Sequence, residues 1–281
     1  MTPLILHSSR HRDHDATPLV LSPANGFPPL VYRPLLQQLD DDLEIWLTEH
    51  RPLWRDQPMP PSRLNWQHLA TDLIQQIEAQ KLLPVVLLGH SLGAVLGIMA
   101  AQRRPDLFRQ LILVDPVMLP SHKSYFLRWL PWSMKRRIPM IKKTLGRPEQ
   151  FADRQAAFRF HRRAAAFRNM SDEALDAYIE HGFEMADGEL KLRFGKVWEA
   201  AIYGSLPNVW PILKRLTVPT TAIRAEHSNT LGVPQWRRWQ QLQPQHHFIE
   251  LSGSEHLLPL TEPERLASVL NPIVSGLPIV R

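Results

Sequence analysis

Gly89-His90-Ser91-Leu92-Gly93 is the segment of this 281-residue chain whose residue types and spacing most directly suggest chemistry. A serine hydroxyl is a poor nucleophile until a base removes its proton and the backbone exposes its oxygen. Gly-x-Ser-x-Gly between a strand and a helix meets the second need. The serine occupies a sharp turn, the glycines allow close packing, and the helix N-terminus offers N–H donors to a developing oxyanion. Val85 to Leu88 is uniformly apolar, as a strand buried on both faces should be, and Ala94 to Ala101 reads as a helix. The pentapeptide therefore lies in the setting it requires.

The elements that must position Ser91 follow from hydrophobic pattern. Short apolar runs predict strands at Leu19 to Ser22, Glu44 to Thr48, Val85 to Gly89, Leu111 to Asp115, Thr220 to Arg224 and His247 to Leu251. Helical spacing falls at Leu35 to Leu39, Leu64 to Gln80, Leu92 to Arg104, Pro234 to Leu242 and Pro263 to Leu270, and Pro105 stops the third of these. Such alternation implies an α/β fold with a mostly parallel central sheet and helices on both faces. Between about Pro116 and Leu216 the alternation stops and helical pattern takes over, as in Arg154 to Arg168 and Ser171 to Phe183. The expected organisation is a core of residues 1–116 and 217–281 with a helical cap inserted at 117–216.

Composition narrows the chemistry. The chain has no cysteine, which removes disulfides, zinc-thiolate sites, iron–sulfur ligation and a cysteine nucleophile together. No run of eighteen apolar residues occurs and the N-terminal segment lacks a signal-like apolar stretch, so the cytoplasm is the expected location. His7, His11, His14, Asp13 and Asp15 form the one grouping that invites a metal reading, but without helical His spacing on an apolar face. No metal or cofactor is expected.

Further motifs resemble the α/β-hydrolase family over most of the chain. Asn25-Gly26-Phe27-Pro28 after the first predicted strand is similar to that family's His-Gly-Phe-Pro loop, with asparagine replacing the histidine. The resemblance implies that the backbone N–H groups of Phe27 and Leu92 form an oxyanion hole. Gly253-Ser254-Glu255-His256, with Thr261-Glu262-Pro263-Glu264 beyond it, resembles the family's histidine loop and final helix, which implies His256 as the general base. The family's acid follows the strand before last, yet Ala225-Glu226-His227-Ser228-Asn229-Thr230-Leu231 carries Asn229 where the aspartate belongs. Asp115, closing the strand Leu111 to Val114, is placed first as the acid; Asn229 as a neutral orienting group and Glu226 remain alternatives.

The expected function is carboxylic-ester hydrolysis through an acyl-enzyme on Ser91, acting on a small-molecule acyl ester. Thioesterase or acyltransferase action on a carrier-bound acyl group is the alternative, and a non-catalytic ligand-binding member of the fold is another, suggested by Asn229. Between Lys123 and Arg147 lie eight lysines and arginines, no acidic residue, and interleaved apolar residues such as Trp129, Trp132 and Met134. That pattern suits an anionic membrane surface or an acyl carrier protein; the plainer account has the apolar residues lining a pocket and the charges facing water. No nucleic-acid motif accompanies the net charge of +6.

Overall fold

The computed structural model describes residues 5–7, 18–40, 43–54, 59–81 and 84–276. Its strands are β1 (Ile5–His7), β2 (Leu19–Ser22), β3 (Ile45–Leu47), β4 (Val85–His90), β5 (Phe108–Val114), β6 (Gln150–Phe151), β7 (Phe183–Ala186), β8 (Glu189–Leu192), β9 (Thr220–His227) and β10 (His247–Glu255). Seven of them form the main sheet, in the order β1-β3-β2-β4-β5-β9-β10. All neighbouring pairs are parallel except β1 with β3.

Successive side chains of a strand point to opposite faces, so an unbroken apolar run needs cover on both. On one side Val85 and Leu87 of β4 join a core with Leu69 and Leu73 of α2 (Trp66–Ala79) and Val95 and Leu96 of α3 (Leu92–Arg103). On the other, Val86 and Leu88 meet Leu35 of the short α1 (Arg33–Leu36). Each such Val or Leu contributes about 1.5–3 kcal/mol through burial.

Between β5 and β9 run α4 (Ser121–Trp129), α5 (Trp132–Lys135), α6 (Pro139–Gly146), α7 (Arg154–Arg162), α8 (Asp172–Gly182), α9 (Lys196–Tyr203) and α10 (Trp210–Leu213). After β9 come α11 (Val233–Leu242), α12 (Leu258–Thr261) and α13 (Pro263–Val274). Trp236 and Trp239 of α11 complete the first core, Leu266 and Leu270 of α13 the second.

The expectation of helices alone between β5 and β9 needs correction. A second sheet of order β6-β8-β7 is present there, antiparallel throughout. Asp187 and Gly188 join β7 to β8 with φ of 54° and 81°, the positive values that a two-residue hairpin demands and that Asp-Gly accepts readily. The helix expected over Arg154 to Arg168 also ends early, at Arg162, with a separate 3₁₀ turn at Ala165–Phe167.

The chain passes from β3 over β2 to β4 and then continues outward through β5, so the strand order reverses beside β4. In open α/β sheets ligands bind in the crevice at the carboxyl ends of strands near such a reversal. Ser91 follows β4, Asp115 follows β5, the loop carrying Phe27 follows β2 and His256 follows β10.

The tightest joint in this crevice is Gly93, where an added Cβ would lie 1.9 Å from the Ser22 carbonyl oxygen. Both atoms belong to rigid backbone, so Gly93→Ala is expected to destabilise by about 4 kcal/mol or more, or to prevent folding. Gly146→Ala, at a site with nothing within 4 Å, is the control and should leave the urea midpoint essentially unchanged. Equal midpoints for the two variants would refute the close approach of α3 to β2.

Candidate active site

Ser91 sits between β4 and α3 with φ 53° and ψ −106°, a conformation that costs a non-glycine residue about 1–3 kcal/mol. Two neighbours make that turn possible. A Cβ at Gly93 would strike Ser22, and one at Gly89 would lie 2.6 Å from the Ala94 Cα. The Ser91 N–H donates to Val114 O at 3.0 Å, and the Gly93 N–H to Pro23 O at 3.1 Å. Although Ser91 is the N-cap of α3, its side chain makes no capping bond, which leaves the hydroxyl uncommitted at the helix end.

The two predicted oxyanion donors differ in readiness. Leu92 is the first residue of α3, where an N–H has no preceding helical carbonyl to meet. The Phe27 N–H closes a turn onto Ala24 O at 3.3 Å, a long bond and so a weak competitor for an anion. Gly26 makes that turn possible with φ 87°.

His256 Nδ1 lies 2.7 Å from Asp115 Oδ2. A carboxylate only accepts, so Nδ1 carries the hydrogen shared with it, and Nε2 is the ring nitrogen not engaged by Asp115. Asp115 itself is fully buried, with φ 43°. Its charge is met by donors in place of water: Ala225 N–H on Oδ1 at 3.1 Å, and Ser228 Oγ and Thr230 Oγ1 on Oδ2 at 2.7 and 3.1 Å. Thr230 Oγ1 also stands 3.1 Å from His256 Nδ1 and flanks the pair. Asn229, between these two hydroxyls in sequence, is exposed, and Glu226 is exposed and accepts the Gly253 N–H at 2.6 Å. The structure thus brings Asp115 to His256, whereas Asn229 and Glu226 are exposed and make no hydrogen bond to its imidazole.

A second set of groups holds these parts together, and sequence reasoning missed it. The His90 Nε2 donates to the backbone oxygen of His256 at 2.9 Å; its Nδ1 must then accept, and it does so from Tyr32 at 2.6 Å. The Tyr32 oxygen in turn accepts the Ala24 N–H at 2.9 Å. One chain of hydrogen bonds therefore ties the Phe27 loop to the elbow and to the histidine loop. Burial pushes His90 down to about 3, with the nearby His256 adding to the effect, so it stays neutral and keeps this direction of donation. His90 lies within the Gly-x-Ser-x-Gly motif, but nothing in the sequence pairs it with Tyr32, 58 positions away.

The other side of the Phe27 loop rests on Glu199 of α9. Asn25 Nδ2 donates to Glu199 O at 3.1 Å, and a Cβ on Gly26 would lie 3.0 Å from Glu199 Oε2. Burial raises the Glu199 carboxyl, opposed by Arg147, which donates to Oε2 at 2.6 Å. An acid within the apolar run Val197-Trp198-Glu199-Ala200-Ala201-Ile202 was the available sign. Phe27 packs against Tyr178 and Phe167 at ring-centroid separations of 5.5 and 6.3 Å.

His11, His14, Asp13 and Asp15 of the possible metal grouping lie outside the described residues, as does the side chain of His7. Among the described residues no group of three His, Cys, Asp or Glu side chains could hold a metal ion.

A strained serine after a parallel strand, at the mouth of a crevice shared with an Asp–His pair, defines a class of protein that the family comparison names. The model of the alpha/beta hydrolase family matches residues 19–269, and the chain belongs to that family. It is 23% identical over 181 residues to 2-(acetamidomethylene)succinate hydrolase of Mesorhizobium japonicum, spanning 64% of this chain and 60% of that protein. It is also 36% identical to monoglyceride lipase of Rattus norvegicus over 64 residues, about 21% of each chain. A crystal structure of E-2-(acetamidomethylene)succinate hydrolase superposes with a TM-score of 0.75 at 20% identity, covering 92% of this chain and 91% of the other. The thioesterase domain from the curacin biosynthetic pathway gives 0.69 at 18%, covering 93% and 92%. The relatives are hydrolases; the superpositions speak for the fold.

The Tyr32–His90 chain has a measurable sign. In the unfolded chain His90 titrates near 6.5, whereas burial holds it down to about 3 in the fold. The stability it contributes is therefore complete above 6.5 and is lost as pH falls toward 3. His90→Gln should show a shallower decline of melting temperature between neutral and acid pH than the wild type. Tyr32→Phe, which strands the Ala24 N–H and His90 Nδ1, should destabilise by about 1–3 kcal/mol at neutral pH. Parallel pH–stability curves for wild type and His90→Gln would reject the neutral, buried assignment.

Proposed function

We propose that the protein is a serine hydrolase that cleaves a carboxylic ester through an acyl-enzyme. Ser91 Oγ attacks the acyl carbon while His256 Nε2 takes its proton. The negative charge that develops on the carbonyl oxygen is met by the N–H groups of Leu92 and Phe27. Collapse breaks the bond to the alcohol, which leaves with the proton from His256. Water, deprotonated by the same nitrogen, then attacks the acyl-enzyme and releases the acid and Ser91.

The observation that carries this reading is the 2.7 Å contact between His256 Nδ1 and the buried carboxylate of Asp115. It supports Asp115 as the orienting acid in place of Asn229, and so favours this reading over a non-catalytic one. Residues 117–216 act as a cap in this proposal. Support comes from Phe167, Tyr178 and Glu199 of that stretch, which lie against the Phe27 loop.

Two substitutions and one substrate panel test it. Ser91→Ala should abolish fluorophosphonate labelling and hydrolysis of p-nitrophenyl esters while leaving the thermal transition nearly unchanged. Asp115→Asn should lower kcat by ~10⁴ with little effect on KM, the size known from the protease case in which an aspartate-to-asparagine change leaves the wrong histidine tautomer. Asn229→Asp should change kcat by no more than a few-fold. Undiminished turnover in Ser91→Ala sinks the proposal, and strong preference for acyl thioesters over esters moves it to a thioesterase.

A further inference from the structure

Six of the ten large apolar side chains exposed among the described residues lie between Tyr125 and Met140: Tyr125 at 52%, Phe126 at 67%, Trp129 at 79%, Trp132 at 44%, Met134 at 50% and Met140 at 47%. An apolar surface concentrated this way usually marks a place of contact. In α4 the buried residues are Ser124 and Leu127, which seat the helix on the body of the protein. At 3.6 residues per turn, Tyr125, Phe126 and Trp129 fall within an arc of about 100° on the opposite face, with Lys123 and Arg128 on its two flanks. The helix thus presents its aromatic face to solvent and carries cations along both edges, the reverse of what a water-facing helix needs.

The charge around this face has one sign. From Lys123 to Lys143 there are seven lysines and arginines and no acidic residue. Arg147, the next cation, already serves Glu199. We propose that α4, α5 and α6 form a docking face for an anionic phospholipid bilayer, with Phe126, Trp129 and their neighbours entering the headgroup layer and the flanking cations reaching the lipid phosphates. Large aromatic side chains beside lysine and arginine are the composition of helices that lie in that layer. An acidic protein would satisfy the cations but offers no reason for Trp129 and Phe126 to be the most exposed of these side chains. Docking of this kind is interfacial, since no helix among the described residues is long and apolar enough to cross a membrane. The inference is independent of the reaction catalysed, and its test uses binding alone.

Full-length protein is co-sedimented with large unilamellar vesicles of phosphatidylcholine, alone or mixed with phosphatidylglycerol, over a range of salt. The wild type should be retained by the anionic vesicles and not by phosphatidylcholine, and retention should weaken as salt screens the cations over ~8 Å at physiological strength. Phe126→Ser with Trp129→Ser should lower the partition coefficient at least tenfold with the net charge unaltered. Replacing Lys135, Arg136, Arg137, Lys142 and Lys143 by Gln should lower it at least as much and flatten the salt dependence. Apart from Lys135, which is half-buried, both variants alter exposed side chains, and their thermal transitions, measured alongside, should match the wild type. The proposal is overturned if the wild type ignores anionic vesicles at low salt. It is equally overturned if the aromatic variant binds like the wild type, which would reduce the effect to diffuse attraction of a basic protein. Binding to an acyl carrier protein that is lost in the same variants, without vesicle binding, would assign the face to a protein instead.

Discussion

The approach of α3 to β2 at Gly93 is the constraint on which the rest of the crevice depends. With the Ser22 carbonyl where a side chain would begin, the helix axis can come no closer and the turn before it can be no wider. The backbone at Ser91 then has little choice but its positive φ, and the strain is carried by hydrogen bonds to Val114 and Pro23 on two neighbouring strands and loops. A consequence is that the hydroxyl and the head of α3 are placed by one joint, to which the Phe27 loop is tied in addition through Tyr32 and Glu199. The backbone geometry at Ser91 is in this way set by main-chain packing, before any side-chain interaction is considered.

Placing the acid at the end of β5 changes what surrounds it. A buried carboxylate without water needs several donors, and the loop after β9 provides them: Ala225 N–H, the Ser228 hydroxyl and the Thr230 hydroxyl. The loop residues on either side of Asn229 thus solvate an acid that arrives from another strand. Asn229 itself is exposed, while its neighbours on both sides turn their hydroxyls to Asp115. The departure from the family's usual sequence at this position is in this way consistent with a complete arrangement.

Much of this was legible in the sequence for physical reasons. Val85 to Leu88 and Leu111 to Val114 are apolar on both faces because both faces are covered; a strand with one face in water would alternate instead. Ser91 stood out because glycines at two fixed offsets are demanded by backbone clearance. The sheet of β6, β7 and β8 went unread: its strands run only two to four residues, too short for period to speak, although Asp187-Gly188 marked the hairpin. Tyr32 and Thr230 were unreadable for a different reason, and Glu199, an acid inside an apolar run, gave a sign of burial without a sign of its partner. Each matters through a partner distant in the chain, and a hydroxyl or carboxyl gives no local sign of what it will meet.

The exposed aromatic face and the crevice are joined by a short and firmly held segment. Only Pro116 to Pro120 separates Asp115 from α4, and within it the Met118 N–H donates to Thr230 O at 3.1 Å while Leu119 O accepts from Trp210 Nε1 at 2.8 Å. Met118 and Trp210 are both buried, and the Arg238 guanidinium covers the Trp210 ring at 4.1 Å. Thr230, the anchor at one end, is the same residue that flanks Asp115 and His256. A flexible lid would need a hinge between face and site, and this connection has proline at each end and hydrogen bonds at Met118 and Leu119 between them. A bilayer held by α4 would therefore fix the orientation of the crevice relative to its surface without distorting the acid. Under the proposed ester hydrolysis, bringing an acyl chain out of that headgroup layer to Ser91 would then be a matter of where the protein sits.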